Sequence, residues 1–567
     1  MQIGRREYFL RKLLFLGSPL ISVFVIDSVV TDPVNTPKLF VLGAVSSGVF
    51  AAVLFGLSKN EIKRQAVPLI TLLVFLLLSL ITLFTTKSPI TQAIYGVYGR
   101  NNGLLTYLFF AFMFLGGLFI SSVPTHQKVL HGLFIAGLVN ILYCGWVITF
   151  GDFLSWKNPY GNILGTFGNP NFIGAFLGMF FSAWFAYLLS PQSSKKFRML
   201  SIAVLPLTAL EIYMSNAIQG RVLMAVGSSA ALFYWIRARF ENRLVTLMYS
   251  LFVLVGGGFA LAGALQVGPL TSLIYKTSVS LRGQYWLSAW NTGNQHPFTG
   301  VGFDALGDWY RRMRDPHALE LPGVDTVINT AHNVPLDIFA FGGWPLFISY
   351  VLLVIYVFWK ILKHSIRFPS YDPLFVGLVV AWAGYQLQSI ISINQIGLGF
   401  WGWLLSGAIL SYVTLIEQSY SDNTLTLGKR SKRLTGTTND PISVGMVSGI
   451  GMLIGALVAV PPLSSDMRWV TAKASTDAAQ FEASLTPSYL NPSNSQKYFM
   501  TIQIFEQSQL WELSHRYALE ATQFNPDAYD LWKLLSLLKN TTDDEKMEAQ
   551  INMRRLDPLN PELKNSQ

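Results

Sequence analysis

Charge is scarce in this sequence. Only 13% of its 567 residues are charged and 51% are hydrophobic. Soluble domains carry about 25% charged residues, so the composition excludes an ordinary soluble globule and indicates an integral membrane protein. Cysteine is nearly absent. Cys144 is the sole one; it lies in an apolar stretch and has no partner for an intrachain disulfide, so it carries no information on redox compartment. Metal-binding patterns are missing too: there is no DxD, no pair of histidines at ligand spacing and no cysteine cluster. The apolar stretches show no internal repeat, which argues against a transporter built from repeated halves.

What the chain has instead is a succession of about thirteen apolar stretches, each near the ~20 residues a bilayer requires. They run roughly over 13–30, 38–58, 67–85, 103–121, 129–150, 172–190, 199–216, 222–236, 244–265, 343–363, 373–391, 396–415 and 442–461. Because many more follow the first, it reads as a membrane span and not as a cleaved signal. Arg5, Arg6, Arg11 and Lys12 precede it. Every second loop is then basic: Lys59, Lys63 and Arg64; Lys128; Lys195, Lys196 and Arg198; Arg237, Arg239 and Arg243; Lys360, Lys363 and Arg367; Lys429, Arg430, Lys432 and Arg433. The positive-inside rule puts these loops and the N-terminus in the cytoplasm. The 266–342 loop and the C-terminus then lie outside. The net charge of +10 is mostly loop charge facing anionic headgroups, so nucleic-acid binding is the wrong inference from it.

The longest polar interruption, from Lys276 to Trp344, carries SLRGQYWLSAW (280–290), HPFTGVGFDALGDWYRRMRD (296–315) and NTAHNVPLDIFAFGGW (329–344). Arg282 and Trp286 share a helix face. Gly300 and Gly302 mark a turn of unusual backbone angles or close approach. Arg311, Arg312 and Arg314 form a cationic cluster, for which solvated surface charge is the plain alternative. His332 and Asn333 stand just before an apolar helix, where a capping role is the alternative. Arginine forks match phosphate oxygens, so the loop suits a phosphate-bearing lipid.

Arg282-x-x-Tyr285-Trp286, the HPFTGVGF block and Ala331-His332-Asn333 before an apolar helix, in this order within one large loop, resemble the O-antigen ligase and polymerase superfamily of bacterial membrane glycosyltransferases. YGVYGRNNGLL (95–105), GTFGNPNFIGAF (165–176) and Gln219-Gly220-Arg221 at a helix start are also similar to it. The likeness covers roughly residues 1–458. It implies an all-α, GT-C-like membrane core with a large extracytoplasmic loop, seated in the bacterial inner membrane. The implied reaction moves a glycan from a polyprenyl-diphosphate donor to an acceptor hydroxyl during surface polysaccharide synthesis, with inversion and with arginines in place of a metal. No cofactor is expected. The expected catalytic residues are His332 as base and Arg282 and Arg221 as diphosphate-binding cations. Arg100, Tyr285, Trp286, Arg311, Arg312, Arg314, Asn333 and Asn169 are expected to bind substrate. Ligase, polymerase and protein O-oligosaccharyltransferase share this outline, and a lipid-linked glycan transporter is the reading from another class. Partners are the lipid-linked donor, a glycan, lipid or protein acceptor, and membrane lipids.

Several of these positions have plainer readings. Tyr95 and Tyr98 suit an aromatic belt. Gly168-Asn169-Pro170-Asn171 reads equally as a turn capping the next span. Arg221 alone suits a snorkelling arginine. Asn394 and Gln395 suit a satisfied turn. Asp27 reads as an interfacial residue. Glu211, within a span, is expected to have a partner. Asp304, Asp308, Asp315 and Asp325 are free to gather around a cation, although their spacing does not require it.

The division expected is a membrane core over 1–462 and a polar helical tail over 463–567. In the tail Asn491-Pro492, Asn525-Pro526 and Asn560-Pro561 recur at a period of roughly 34, the tetratricopeptide spacing. The tail reads either as two or three degenerate repeats that bind a protein partner or as a plain helical cap.

Overall fold

The computed structural model describes residues 4–425, 441–475 and 477–564. Lys429, Arg430, Lys432 and Arg433 lie outside the described residues. The protein is an all-α membrane protein, and each of the apolar stretches read from the sequence is helical. Ten of the described helices are long and apolar enough to cross a membrane. Leu104–Leu118 is apolar but shorter. Arg5–Val23 and Ile218–Arg239 occupy the first and eighth stretches.

Glycine sets the tightest helix contacts. A Cβ on Gly455 would lie 2.0 Å from the Gly43 carbonyl oxygen, which brings Pro441–Lys473 against Asn35–Leu54. Gly407 and Gly117 do the same for Ile396–Leu425 and Leu104–Leu118. Gly220 and Gly174 join Ile218–Arg239 to Pro170–Leu188. In a membrane no apolar driving force separates helix from lipid, so close backbone approach of this kind holds the bundle. Trp401, Tyr107, Phe110 and Phe114 fill its interior. Ala66–Thr85 and Arg243–Ala264 turn large side chains such as Phe84 and Phe252 outward, as lipid-facing helices do.

Contacts sort the loops into two sets. On one face Arg6 pairs with Glu61, Glu7 accepts from Ser121 and Ser122, and Arg64 reaches Gln418. These belong to the basic loops. On the other face Asp27 accepts from the Ser155 amide at 2.7 Å, and Asp466 accepts from the Thr31 and Asp32 amides. The 85–103 loop, the large loop and the tail meet on this second face. Asn394 and Gln395 are buried there; Tyr385 donates to Asn394, and the Leu398 amide donates to Gln395. Glu211 departs from expectation. It is fully buried beside Gly145, and neither carboxylate oxygen finds a partner among the described residues, because apolar helix surface surrounds it.

The large loop contains the helices Thr277–Gln295 and Leu306–Met313. It ends in Val334–Arg367, which breaks at Gly342 and Gly343 (φ 65°). A break frees backbone groups that must find other partners. The HPFTGVGF block supplies them. Val301 and Gly302 amides donate to the Ala340 and Phe341 carbonyls at 3.0 and 2.9 Å, and Trp344 donates to Pro297 at 2.8 Å. Gly300 needs to be glycine here, with φ 61° and the Phe341 carbonyl carbon 2.2 Å from where a Cβ would stand. Residues 340–344 are therefore held to the HPFTGVGF turn by backbone hydrogen bonds, and the helix on the far side of the break covers the span read from about residue 343.

The tail has its own core, with Ile502, Ala518, Trp532, Leu535 and Leu556 buried together. Ser495–Gln507 packs on Trp511–Phe524, and Tyr529–Leu537 on Asp543–Leu556. Asn525 and Asn560 each accept an amide two residues on, from Asp527 and Glu562. The recurring Asn-Pro thus marks the turn between helices.

Candidate functional site

The turn at residues 330–333 is fixed by three hydrogen bonds. Asp337 accepts from the Ala331 amide at 2.7 Å, Thr330 Oγ1 accepts from the His332 amide at 3.1 Å, and Asn333 accepts from the Leu336 amide at 3.0 Å. His332 takes φ 54°, a left-handed conformation uncommon outside glycine. Its Nδ1 lies 3.4 Å from both Thr330 oxygens. Its Nε2 makes no hydrogen bond among the described residues. The Tyr285 ring stands 5.5 Å away, and Tyr285 in turn packs on Tyr310.

Burial, with Arg100 and Arg282 adding to it, lowers the His332 pKa to about 4 against the opposing Thr330 hydrogen bond. The imidazole is therefore neutral at pH 7 and able to accept a proton. The same shift places Arg100 and Arg282 within electrostatic reach of His332 although they come from different loops. Among the described residues neither guanidinium forms an ion pair or a side-chain hydrogen bond. Arg282 is partly buried, and burial lowers its proton affinity. Asp304 holds the Arg100 loop in place: it is fully buried and accepts from the Val97 amide at 2.7 Å. Burial pushes its pKa up to about 6, against the Val97 hydrogen bond and Arg100. Asp304 and Asp337 are the residues that sequence reading missed as supports. Their partners are distant in sequence or are backbone amides, which leave no pattern.

Arg221 is not among the charges that act on His332. Its guanidinium lies over Tyr213, 4.8 Å from the ring centroid, and donates to the Tyr213 carbonyl at 3.4 Å. Lys276 bonds the Asn216 carbonyl at 3.0 Å and so ties the turn before Arg221 to the start of the Arg282 helix. Trp286 packs on the membrane core with its indole N–H unpartnered among the described residues. Asn169 caps Pro170–Leu188 and donates to Tyr160, so its amide is already engaged in local structure. Asn333 likewise spends its side-chain oxygen as a cap.

The cluster of Arg311, Arg312 and Arg314 is committed to the tail. Arg314 bonds Asp557 at 2.7 Å and Arg311 bonds it at 3.2 Å, with all three side chains buried. Arg312 bonds Asp527 at 3.2 Å and lies over Trp309. The solvated surface charge that was the plain sequence alternative is thus absent, because tail carboxylates cover it. The loop aspartates do not gather. Asp304 and Asp308 bind amides, Asp315 caps a short helix, and Asp325 faces Lys533. No group of three potential metal ligands occurs among the described residues.

Residues 203–351 match the family model described as O-antigen ligase. The matched segment contains Arg221, Arg282, His332 and the Gly342–Gly343 break; Arg100 and the tail fall outside it. No curated protein matches the chain.

Proposed function

We propose, from the match of residues 203–351 to the O-antigen ligase family model, that the chain transfers a glycan from a polyprenyl-diphosphate donor to an acceptor hydroxyl at the extracytoplasmic face of the bacterial inner membrane. The observation that carries this reading is the grouping of one neutral histidine with two guanidiniums that have no carboxylate at bonding distance among the described residues. Diphosphate oxygens fit the open guanidinium forks. Arg100 and Arg282 hold the diphosphate, and Arg221 lies at the adjoining helix start as a third cation for the donor. Tyr285 and Trp286 flank the group. The acceptor O–H attacks the anomeric carbon, its proton passes to His332 Nε2, and the C–O bond to the diphosphate breaks with the charge left on the arginines. Attack opposite the leaving group inverts the anomeric carbon, and the cations do the work that a metal does elsewhere. The basic-loop face is cytoplasmic, consistent with the distribution of Lys and Arg. The tail, read as degenerate tetratricopeptide repeats, is an extracytoplasmic domain. The acceptor is a lipid anchor in the ligase reading.

The test uses the purified full chain with lipid-linked donor. His332→Ala should slow transfer by about a hundredfold while donor binding survives. The pH profile adds the sign. A base must be unprotonated, so kcat/KM should stay level as pH falls below 6.5 and drop only near pH 4. Bound diphosphate neutralises the arginines, so the acid limb of kcat should lie at higher pH than that of kcat/KM. Normal transfer by a well-folded His332→Ala protein would remove the base from the mechanism.

A further inference from the structure

The last long helix, Pro441–Lys473, carries Pro461 and Pro462 inside it. Proline has no N–H, so Pro461 cannot donate to the carbonyl four residues earlier, that of Leu457. A carbonyl left unpaired in a span is costly, because lipid offers no donor. The missing donor comes from the tail: the Tyr489 hydroxyl bonds the Leu457 carbonyl at 2.6 Å. Leu457 is 54% exposed, and its neighbours Ile454 and Val458 are exposed with it. Exposed apolar side chains on a span face lipid. Tyr489 therefore leaves the core of the tail and lies along the lipid-facing side of a span.

The turn that carries Tyr489 has a polar base and an apolar tip. Ser488 and Asn491 exchange backbone hydrogen bonds at 3.2 and 3.0 Å, which leaves Tyr489 and Leu490 at the tip. At the base, buried Asn491 donates to the Ser484 and Thr486 carbonyls and accepts from Ser465. The base is thus fixed to the last long helix. The tip is bare, with Tyr489 59% exposed and Leu490 also exposed. The short helix Ile90–Tyr95 adjoins the turn, since Thr91 donates to the Ser493 carbonyl, and it adds exposed Ile90. The helix also sets the depth. Asp466 bonds the Thr31 and Asp32 amides on the loop face. It follows Leu457 by nine residues, or about 13 Å at the α-helical rise. The tip reaches back from the loop face toward the bilayer.

We propose that residues 486–491 anchor the tail to the membrane, with Tyr489 and Leu490 seated in the interface of the leaflet on the loop face. Tyrosine joins an apolar ring to a polar end and suits the boundary between headgroups and acyl chains. Through Leu457 the tip adjoins a surface that lipid already covers, so the same lipid covers the tip. The tail is then held on two sides, by ion pairs to the large loop and by this turn in the bilayer.

The test is the depth of a spin label on Leu490→Cys in the full chain, in nanodiscs of phosphatidylethanolamine and phosphatidylglycerol. Cys144 is buried, and the unaltered chain serves as the labelling blank. Collision with oxygen, which concentrates in lipid, is compared with collision with a water-soluble nickel chelate. The label at 490 should lie about 5–10 Å below the phosphates. A label on Asp543→Cys, at a fully exposed position of the tail, should meet the nickel chelate freely. Tyr489→Phe removes the bond to Leu457 and should shift the 490 label toward water. Free collision of the 490 label with the nickel chelate would overturn the anchor. Exclusion of both reagents would overturn it too, because a second copy or another protein would then cover the tip. A 490 label unmoved by Tyr489→Phe would overturn the part given to the Leu457 carbonyl.

Discussion

Two sets of arginines meet the large loop and have opposite surroundings. Arg311 and Arg314 are buried against Asp557, and Arg312 is bonded to Asp527. Arg100 and Arg282 are partly buried with no carboxylate at bonding distance among the described residues. A buried cation without a counter-ion is costly. The first set has that cost offset within the fold and acts as structure. In the second set Arg100 feels the buried Asp304 carboxylate without bonding it, and Arg282 has no carboxylate acting on it; on the proposed function the counter-ion of Arg282 arrives with the substrate. The lesson is that arginine clusters are told apart by what already neutralises them and not by their density.

Three changes sharpen this contrast. The largest effect is expected from Asp557→Ala, which leaves buried Arg314 without a carboxylate and Arg311 with only its 3.6 Å contact to Asp530. Removing one partner of a buried ion pair costs about 3–5 kcal/mol, so the detergent-purified protein should unfold at clearly lower temperature. Unfolding unaltered within error would deny the tail its structural role. Arg282→Lys comes next. It keeps the charge but loses the two-pronged fork, so transfer should fall by about tenfold with thermal stability unchanged; full activity would deny bidentate diphosphate contact. Arg555→Ala is the smallest. Arg555 bonds Asp527 at 2.9 Å but is 44% exposed, and such pairs contribute under about 1 kcal/mol. A loss as large as that of Asp557→Ala would mean that Asp527, and not Asp557, anchors the tail.

The membrane core was legible because hydropathy reports length and burial directly. Each apolar stretch is a helix, down to the span that starts just after Gly342. His332 and Arg282 were singled out together only through the resemblance, since nothing in their spacing links residues fifty positions apart. The partners of Arg314 were not. Asp557 lies 243 residues away, and local patterns carry nothing about contacts made only in the folded chain. The role of HPFTGVGF was half legible: its glycines announced a tight turn, but the helix break that the turn braces appears only in three dimensions. The tail reads as a separate unit in composition, yet its carboxylates complete the large loop. Truncation at Pro462 therefore removes the counter-ions of Arg311 and Arg314 along with the repeats.

The most direct test of the central claim is polyprenyl diphosphate binding to the purified full chain and to Arg100→Ala, Arg282→Ala and Arg312→Ala. The account predicts that the first two weaken binding by about tenfold or more and that Arg312→Ala, whose charge is already met by Asp527, leaves it unchanged. Equal weakening by all three, or none by Arg282→Ala, would contradict it.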